Sequence, residues 1–264
     1  MDFAVYENLL FKRRARVLEI ILNRPERRNA IDTALHRELA RVFTDAANDP
    51  DSDVLVLTGA GNCFSAGGDV GQMEKGLVER DPWPKTAVEA KQIVFSLLDC
   101  EKPIIAKVNG HATGLGATLA LFCDVTFAAD TAKIGDPHVR VGLVAGDGGA
   151  IIWPQLIGYS RAKEYLMTGE LMSAAEAERI GLINHAVAAD QLDARVDSFA
   201  DRLAAGPPQA IRWTKVSVNV GLRQLAHSIM DASIAYEWLS GRSSDHREAV
   251  AAFLEKRAPK FTGR

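Results

Sequence analysis

Asn62-Cys63-Phe64-Ser65-Ala66-Gly67-Gly68-Asp69 and Asn109-Gly110-His111-Ala112-Thr113-Gly114-Leu115-Gly116 are the two stretches on which the fold turns. Each follows a short apolar run, Val54–Thr58 in the first case and Pro103–Val108 in the second. Runs of that length bounded by turn residues read as buried strands. Glycines in the loops permit positive φ and close approach of the backbone to a ligand. A loop that enters a helix presents unpaired N–H groups at the positive end of the helix dipole. Two such groups from different loops suit a developing oxyanion without any charged side chain. Neither loop carries the lysine of a phosphate-binding loop or the G-x-G-x-x-G spacing, so a nucleotide-hydrolase reading fails.

Working outward, Val17–Leu22 is a strand ended by Asn23-Arg24-Pro25. Leu35, Leu39, Val42, Phe43 and Ala46 recur on one helical face, with Asp32 or Thr33 as cap and Asn48-Asp49-Pro50 as stop. Val88–Leu98 has helical spacing, a helix follows Gly114-Leu115-Gly116, and Asp124–Ala129 is a further strand. Short strands alternating with helices predict an α/β fold. Beyond about residue 157 every segment reads as helix: Arg161–Met167, Ala174–Ile180, Leu192–Ala205, Pro208–Val220, Leu222–Leu239 and His246–Lys256. The predicted division is an α/β core over 1–200 and a helical region over 201–264, of the kind that packs on the core or on another subunit.

Composition narrows the function. Of 264 residues, 47% are hydrophobic and 25% charged, enough apolar content for a sizeable core. The net charge of -3 offers no basic footprint for nucleic acid or an anionic membrane. No apolar stretch is long enough to span a bilayer, and no secretory leader is visible. Cys63, Cys100 and Cys123 are far apart and form no metal-ligand spacing, which predicts reduced thiols of a cytoplasmic protein. No histidine cluster has zinc spacing, so no metal is expected.

The ordered set of motifs resembles the crotonase superfamily, the enoyl-CoA hydratases and isomerases. It comprises Asn23-Arg24-Pro25…Asn29-Ala30, Phe-Ser-Ala-Gly-Gly-Asp, Pro-Ile-Ile-Ala-Lys-Val-Asn-Gly, Ala-Leu-Phe-Cys-Asp-Val, Gly142 to Gly149, Thr168-Gly169-Glu170 and Gly181-Leu182-Ile183-Asn184. The resemblance implies a spiral of ββα units, a helical C-terminal trimerisation region, and a homotrimer or a dimer of trimers. It implies an acyl-CoA thioester lying between the two glycine loops, with coenzyme A as part of the substrate and no separate cofactor. It places the backbone N–H groups of Ala66 and Leu115 at the oxyanion hole. Ser65, Gly67, Asp69, Gly114 and Ala30 would line the thioester. Arg24, with Arg27 and Arg28 beside it, suits phosphate through planar bidentate bonding. Lys256 and Lys260 in the basic, aromatic tail are similar to family residues that reach coenzyme A. Gly76–Pro84, with Trp83, is a candidate pocket cover.

The sequence departs from the family where the acid–base pair should be. Thr118 and His138 stand in the two glutamate positions. Threonine cannot accept a proton at neutral pH, whereas histidine can. Asp147, in Gly146-Asp147-Gly148-Gly149, opens a helix, where a carboxylate is stabilised as the anion or simply caps. Glu237 follows Ser233, Ile229 and Leu225 on a helical row, which carries its carboxylate toward an interior surface. His138, Asp147 and Glu237 together resemble the set of 6-oxocamphor hydrolase, a crotonase relative that cleaves a β-diketone. By that resemblance His138 and Asp147 activate water or deliver a proton, with Glu237 in support. The expected activity is therefore enoyl-CoA hydratase/isomerase chemistry with a non-standard His/Asp pair. The alternatives are C–C hydrolysis of a β-diketone or cyclic β-keto-CoA, and a non-catalytic acyl-CoA-binding homologue. His111 reads as a backbone-bracing residue.

Overall fold

A computed structural model describes residues 3–77 and 85–263. Strands β1 (Leu9–Arg14), β2 (Val17–Leu22), β3 (Val54–Gly59), β5 (Ile104–Val108), β7 (Val125–Ala129) and β10 (His185–Val187) form one six-stranded sheet in the order β1-β2-β3-β5-β7-β10. The β1/β2 hairpin is antiparallel, and the remaining pairs are parallel. Strands β4 (Cys63–Ser65), β6 (His111–Thr113), β8 (Lys133–Gly135) and β9 (Met172–Ser173) form a second sheet. Successive units thus send one strand to each sheet before turning into a helix, which is the expected spiral of ββα units.

Strand β3 illustrates why these runs are wholly apolar. Leu55 and Leu57 belong to the cluster shared with α1 (Thr33–Ala47), α3 (Lys85–Asp99) and α5 (Gly149–Thr168). Val54 and Val56 face the other way, against Leu192, Val196 and Ala200 of α7 (Leu192–Ala204). With helices on both faces, both side-chain rows of a parallel sheet must be apolar. Asp32 caps α1 by accepting from the Leu35 N–H at 2.9 Å, as its position predicts.

Three expectations are corrected here. The region past residue 157 is not all helix, because β9 and β10 lie within it, flanking α6 (Ala174–Arg179). They are only two and three residues long, too short to carry a period. Pro208–Val220 and Leu222–Leu239 are one 33-residue helix, α8 (Pro208–Ser240), with Gly221 in its interior. A glycine inside a helix costs about 1 kcal/mol, too little to break one packed along its length. The predicted boundary at 200/201 falls inside α7, whose apolar face is already part of the sheet's cover. The chain ends in α9 (Ser244–Leu254) and an extended tail.

Candidate active site

Asn29 fixes the first wall. It is fully buried with φ of 53°, and its side chain accepts from the Arg24 N–H and donates to the carbonyls of Ala60 and Cys63. The Arg24–Arg28 turn is thereby tied to the first glycine loop. Ser65 is buried too; its Oγ donates to the Asn29 carbonyl and accepts from the Gly67 N–H. Ser65 therefore braces the loop and lines neither chamber of the site, contrary to the expected thioester contact. Gly67 has φ of +78°, and a Cβ on it would lie 2.6 Å from the Thr113 carbonyl oxygen. The two loops consequently meet backbone to backbone, which only glycine allows there.

The donor groups differ from expectation at one position. The Ala66 N–H donates to the Arg28 carbonyl at 3.0 Å, so Ala66 is corrected as an oxyanion donor. Two residues on, Ile31 bridges to Gly68 in parallel fashion, bonding Gly67 O and the Asp69 N–H. The peptide groups of Gly68 therefore turn away from Ile31, and among the described residues its N–H has no partner. Gly68 lines both chambers. On the second loop, α4 (Leu115–Leu121) starts at Leu115, with Gly114 as its cap, rather than after Gly116. The first N–H that closes a helical bond belongs to Thr118. The Leu115 N–H is thus an open donor at a helix N-terminus. Sequence reasoning missed Gly68 because the pairing that consumes the Ala66 donor lies 38 residues away in the chain.

A chamber of about 910 Å³ opens on one side of the loops and one of about 610 Å³ on the other. The larger is lined by Arg24, Arg27, Arg28, Ala30, Gly67, Asp69, Gly114, Arg140 and Arg257, among others. Arg24 is tied to Asp32 at 3.0 Å, to Asp69 at 3.4 Å and to the Ala30 carbonyl, so it shapes this wall. Arg27 and Arg28 are exposed and have no carboxylate partner among the described residues. Neither Lys256 nor Lys260 lines either chamber; α9 and the tail supply Phe253, Leu254 and Arg257 instead. The Lys260 N–H is spent on Glu248 at 2.8 Å. The expected pocket cover, 76–84, lies from residue 78 outside the described residues.

The smaller chamber holds the titratable groups: His138, Asp147 and Glu237, beside Leu115. His138 opens a short 3-10 turn, His138–Val141, that follows β8. Its Nδ1 meets Asp136 Oδ1, and its Nε2 lies 3.5 Å from Asp147 Oδ2. Thr118 Oγ1 donates to Asp147 Oδ1 at 3.4 Å. A Cβ on Gly114 would lie 3.5 Å from the His138 ring, so the imidazole sits directly beside the second loop. Asp136 is the residue that sequence reasoning did not select. The Asp-Pro-His spacing was its only signal.

Burial alone would push the His138 imidazolium down, but Asp136 and Asp147 outweigh it and hold the ring well above the usual histidine range. Burial raises the Asp147 carboxyl, opposed by His138 and reinforced by Asp136. The cap of α5 is Gly148, so Asp147 is not the helix cap its position in the sequence allowed. Burial and the Asp147 charge push the Glu237 carboxyl up to about 8. Its residue is half-buried, but the carboxyl faces the Gly146 N–H. A Cβ on Gly146 would come within 2.4 Å of Ser233 O and 2.8 Å of Glu237 Oε2, so glycine permits α8 to approach that closely.

Asp136, His138 and Asp147 also offer one donor atom each within 4.8 Å. Both ring nitrogens already face carboxylates, so a divalent ion would have to displace a ring proton to bind there. The other histidines with polar partners lie outside the His138 cluster, although His36 and His246 line the smaller chamber. His111 Nδ1 accepts from the Lys133 N–H at 3.1 Å, His36 pairs with Glu89 at 2.8 Å, and His246 Nδ1 faces Val141 O at 2.6 Å. The three cysteines are free and buried. No helix among the described residues is long and apolar enough to cross a membrane.

The comparisons agree with this geometry. The family model for enoyl-CoA hydratase/isomerase matches residues 12–264. A probable enoyl-CoA hydratase of Mycobacterium bovis, echA8, is 36% identical over 98% of this chain and 99% of its own length. The 1,2-epoxyphenylacetyl-CoA isomerase of Escherichia coli is 34% identical over 94% of this chain and 95% of its own length. A crystal structure of an enoyl-CoA hydratase/isomerase from Mycobacterium paratuberculosis superposes with a TM-score of 0.88 at 36% identity, covering 92% of this chain and 97% of that one. Spiral, paired loops and whole-length similarity coincide, and the chain belongs to the enoyl-CoA hydratase/isomerase family of the crotonase superfamily.

Proposed function

We propose that this enzyme binds an acyl-CoA thioester across the two chambers and returns a proton to an enolate intermediate with a His138/Asp147 pair. The observation that carries the reading is His138 set between Asp136 and Asp147 beside the second glycine loop. The larger chamber, with Arg27, Arg28 and Arg140, suits the phosphates of coenzyme A. The thioester carbonyl sits between the N–H groups of Gly68 and Leu115, which take up the charge of the enolate. Asp147 accepts a proton from water, the oxygen of that water bonds the substrate, and His138 donates its Nε2 proton to the enolate α-carbon. The proton on Asp147 then passes across the 3.5 Å gap to His138, which restores the pair. Asp136 holds Nδ1 and stabilises the imidazolium. Glu237, protonated below about pH 8, adds no second charge to the cluster.

This relay serves hydration of a 2-enoyl-CoA, with attack at the β-carbon. It serves equally hydrolytic C–C cleavage of a β-keto-CoA, with attack at the β-carbonyl and protonation of the thioester enolate that leaves. The second reading has its own support: Thr118, a non-basic residue, stands where the first family glutamate is expected. We also propose assembly as a trimer or a dimer of trimers. Assay of crotonyl-CoA, longer 2-enoyl-CoAs and cyclic β-keto-CoAs separates the reactions. Fast hydration that survives both His138→Ala and Asp147→Ala rejects the relay. Thioester binding without turnover of any substrate points to a binding protein.

A further inference from the structure

We infer that the smaller chamber receives an acyl chain that ends in a carboxylate, and that Arg242 reads that carboxylate. The inference rests on the acyl-CoA reading above and names the class of its acyl group.

Arg242 lies just beyond the end of α8, with its guanidinium carbon 4.2 Å from the centroid of the Trp238 ring. Both residues line the smaller chamber, as does Glu237, the neighbour of Trp238. Stacking on an aromatic face holds a flexible cation in one place before a ligand arrives, which lowers the ordering cost of binding. Among the described residues, no carboxylate lies within ion-pair distance of Arg242. Arg247 donates to the Arg242 main-chain carbonyl at 2.9 Å and leaves the guanidinium itself unengaged by that bond.

The rest of the chamber agrees in charge. Its carboxylates are all engaged. Asp32 and Asp69 pair with Arg24, Glu89 pairs with His36 and lies 3.7 Å from Arg37, and Asp147 and Glu237 belong to the His138 cluster. Lys75 and Lys85 line the same chamber with no ion pair among the described residues. The wall therefore carries cations in excess of the anions available to them. Leu115, Leu143, Ile234, Ala87 and Ala90 line the same chamber, and such apolar side chains suit methylenes. A thioester held at the loops, an apolar lining and an arginine without a carboxylate partner match an ω-carboxyacyl thioester. A guanidinium meets a carboxylate through two parallel hydrogen bonds, which an ammonium cannot copy.

The test uses two enoyl-CoA thioesters of equal chain length, one ending in methyl and one in carboxylate. Their dissociation constants are measured by calorimetry on the whole enzyme and on Arg242→Ala and Arg242→Lys, so the readout does not need turnover. The wild type should bind the carboxylate thioester roughly tenfold or more tightly than its methyl counterpart. Arg242→Ala should bring that ratio to near one, and Arg242→Lys should leave an intermediate ratio. A wild-type ratio near one, or a preference that survives Arg242→Ala, overturns the inference while the acyl-CoA reading stands. Binding of neither thioester overturns the acyl-CoA reading and this inference with it.

Discussion

His138 turns its Nε2 toward Asp147 Oδ2 at 3.5 Å while Asp136 holds the opposite nitrogen of the same ring. One buried imidazole thus joins two carboxylates, and either nitrogen donates only if the proton count of the whole cluster allows it. His138→Ala and Asp147→Asn should each lower kcat by roughly 100-fold to 10,000-fold, the range for a positioned acid or base. Calorimetric binding of a CoA thioester should survive both changes. Loss of binding together with rate would assign the two residues to ligand contact instead.

Asp136 acts through charge and orientation. Asp136→Asn retains an acceptor for Nδ1–H but removes the charge that helps hold the imidazolium above its usual range. The His138 acid form is needed for proton delivery, so the alkaline limb of the kcat/KM profile should move to lower pH. His138 has a raised folded-state pKa, so its stabilising contribution is full below about 6.5 and is lost as pH rises through the folded value. In Asp136→Asn that loss should be smaller and complete at lower pH in thermal melts. An unmoved kinetic limb would exclude the assignment.

Glu237 gives a separate pH signature. Its folded-state carboxyl is pushed from an ordinary 4.5 to about 8. The contribution of the protonated form is full below about 4.5 and is lost as pH rises through about 8. Glu237→Gln keeps a neutral side chain of the same shape, so its melting temperature should fall less than the wild type's between pH 5 and pH 9. Parallel curves would show that the carboxyl titrates in its ordinary range.

Gly146→Ala tests the approach of α8. The new methyl would sit 2.4 Å from Ser233 O. Overpacking of this kind costs about 1–3 kcal/mol. The melting temperature should drop, and kcat should fall with it because Glu237 rides on the same helix. A variant with wild-type stability would place the helix farther away.

Exhaustive chelation should leave kcat unchanged, because the ring protons that face Asp136 and Asp147 occupy the places a divalent ion would need. Activity that falls after chelation and returns with one added ion would make the trio a metal site.

The strands and helices were legible where a residue's role repeats along the chain. Val54–Leu57 alternates between two cores, and Leu35, Leu39, Val42, Phe43 and Ala46 fill one helical face, so local periodicity already contains the packing. The glycine loops and the family were legible in the same way, as local spelling in a fixed order. Strands β9 and β10 were not, being too short for a period, and neither was the continuity of α8, because tertiary packing carries Gly221.

The sequence by itself determined the α/β spiral, the two loops and the presence of His138, Asp147 and Glu237. Only the tertiary structure decided which backbone donor is free and which groups share a proton. The Ala66 N–H is consumed by Arg28, 38 residues earlier, which leaves that of Gly68 open. The acid–base character of His138 comes from Asp136 and Asp147, brought together by β8 and the start of α5 where all three side chains are buried. Both outcomes depend on distances between segments far apart in the chain, and electrostatics in a buried site responds to distance rather than to order.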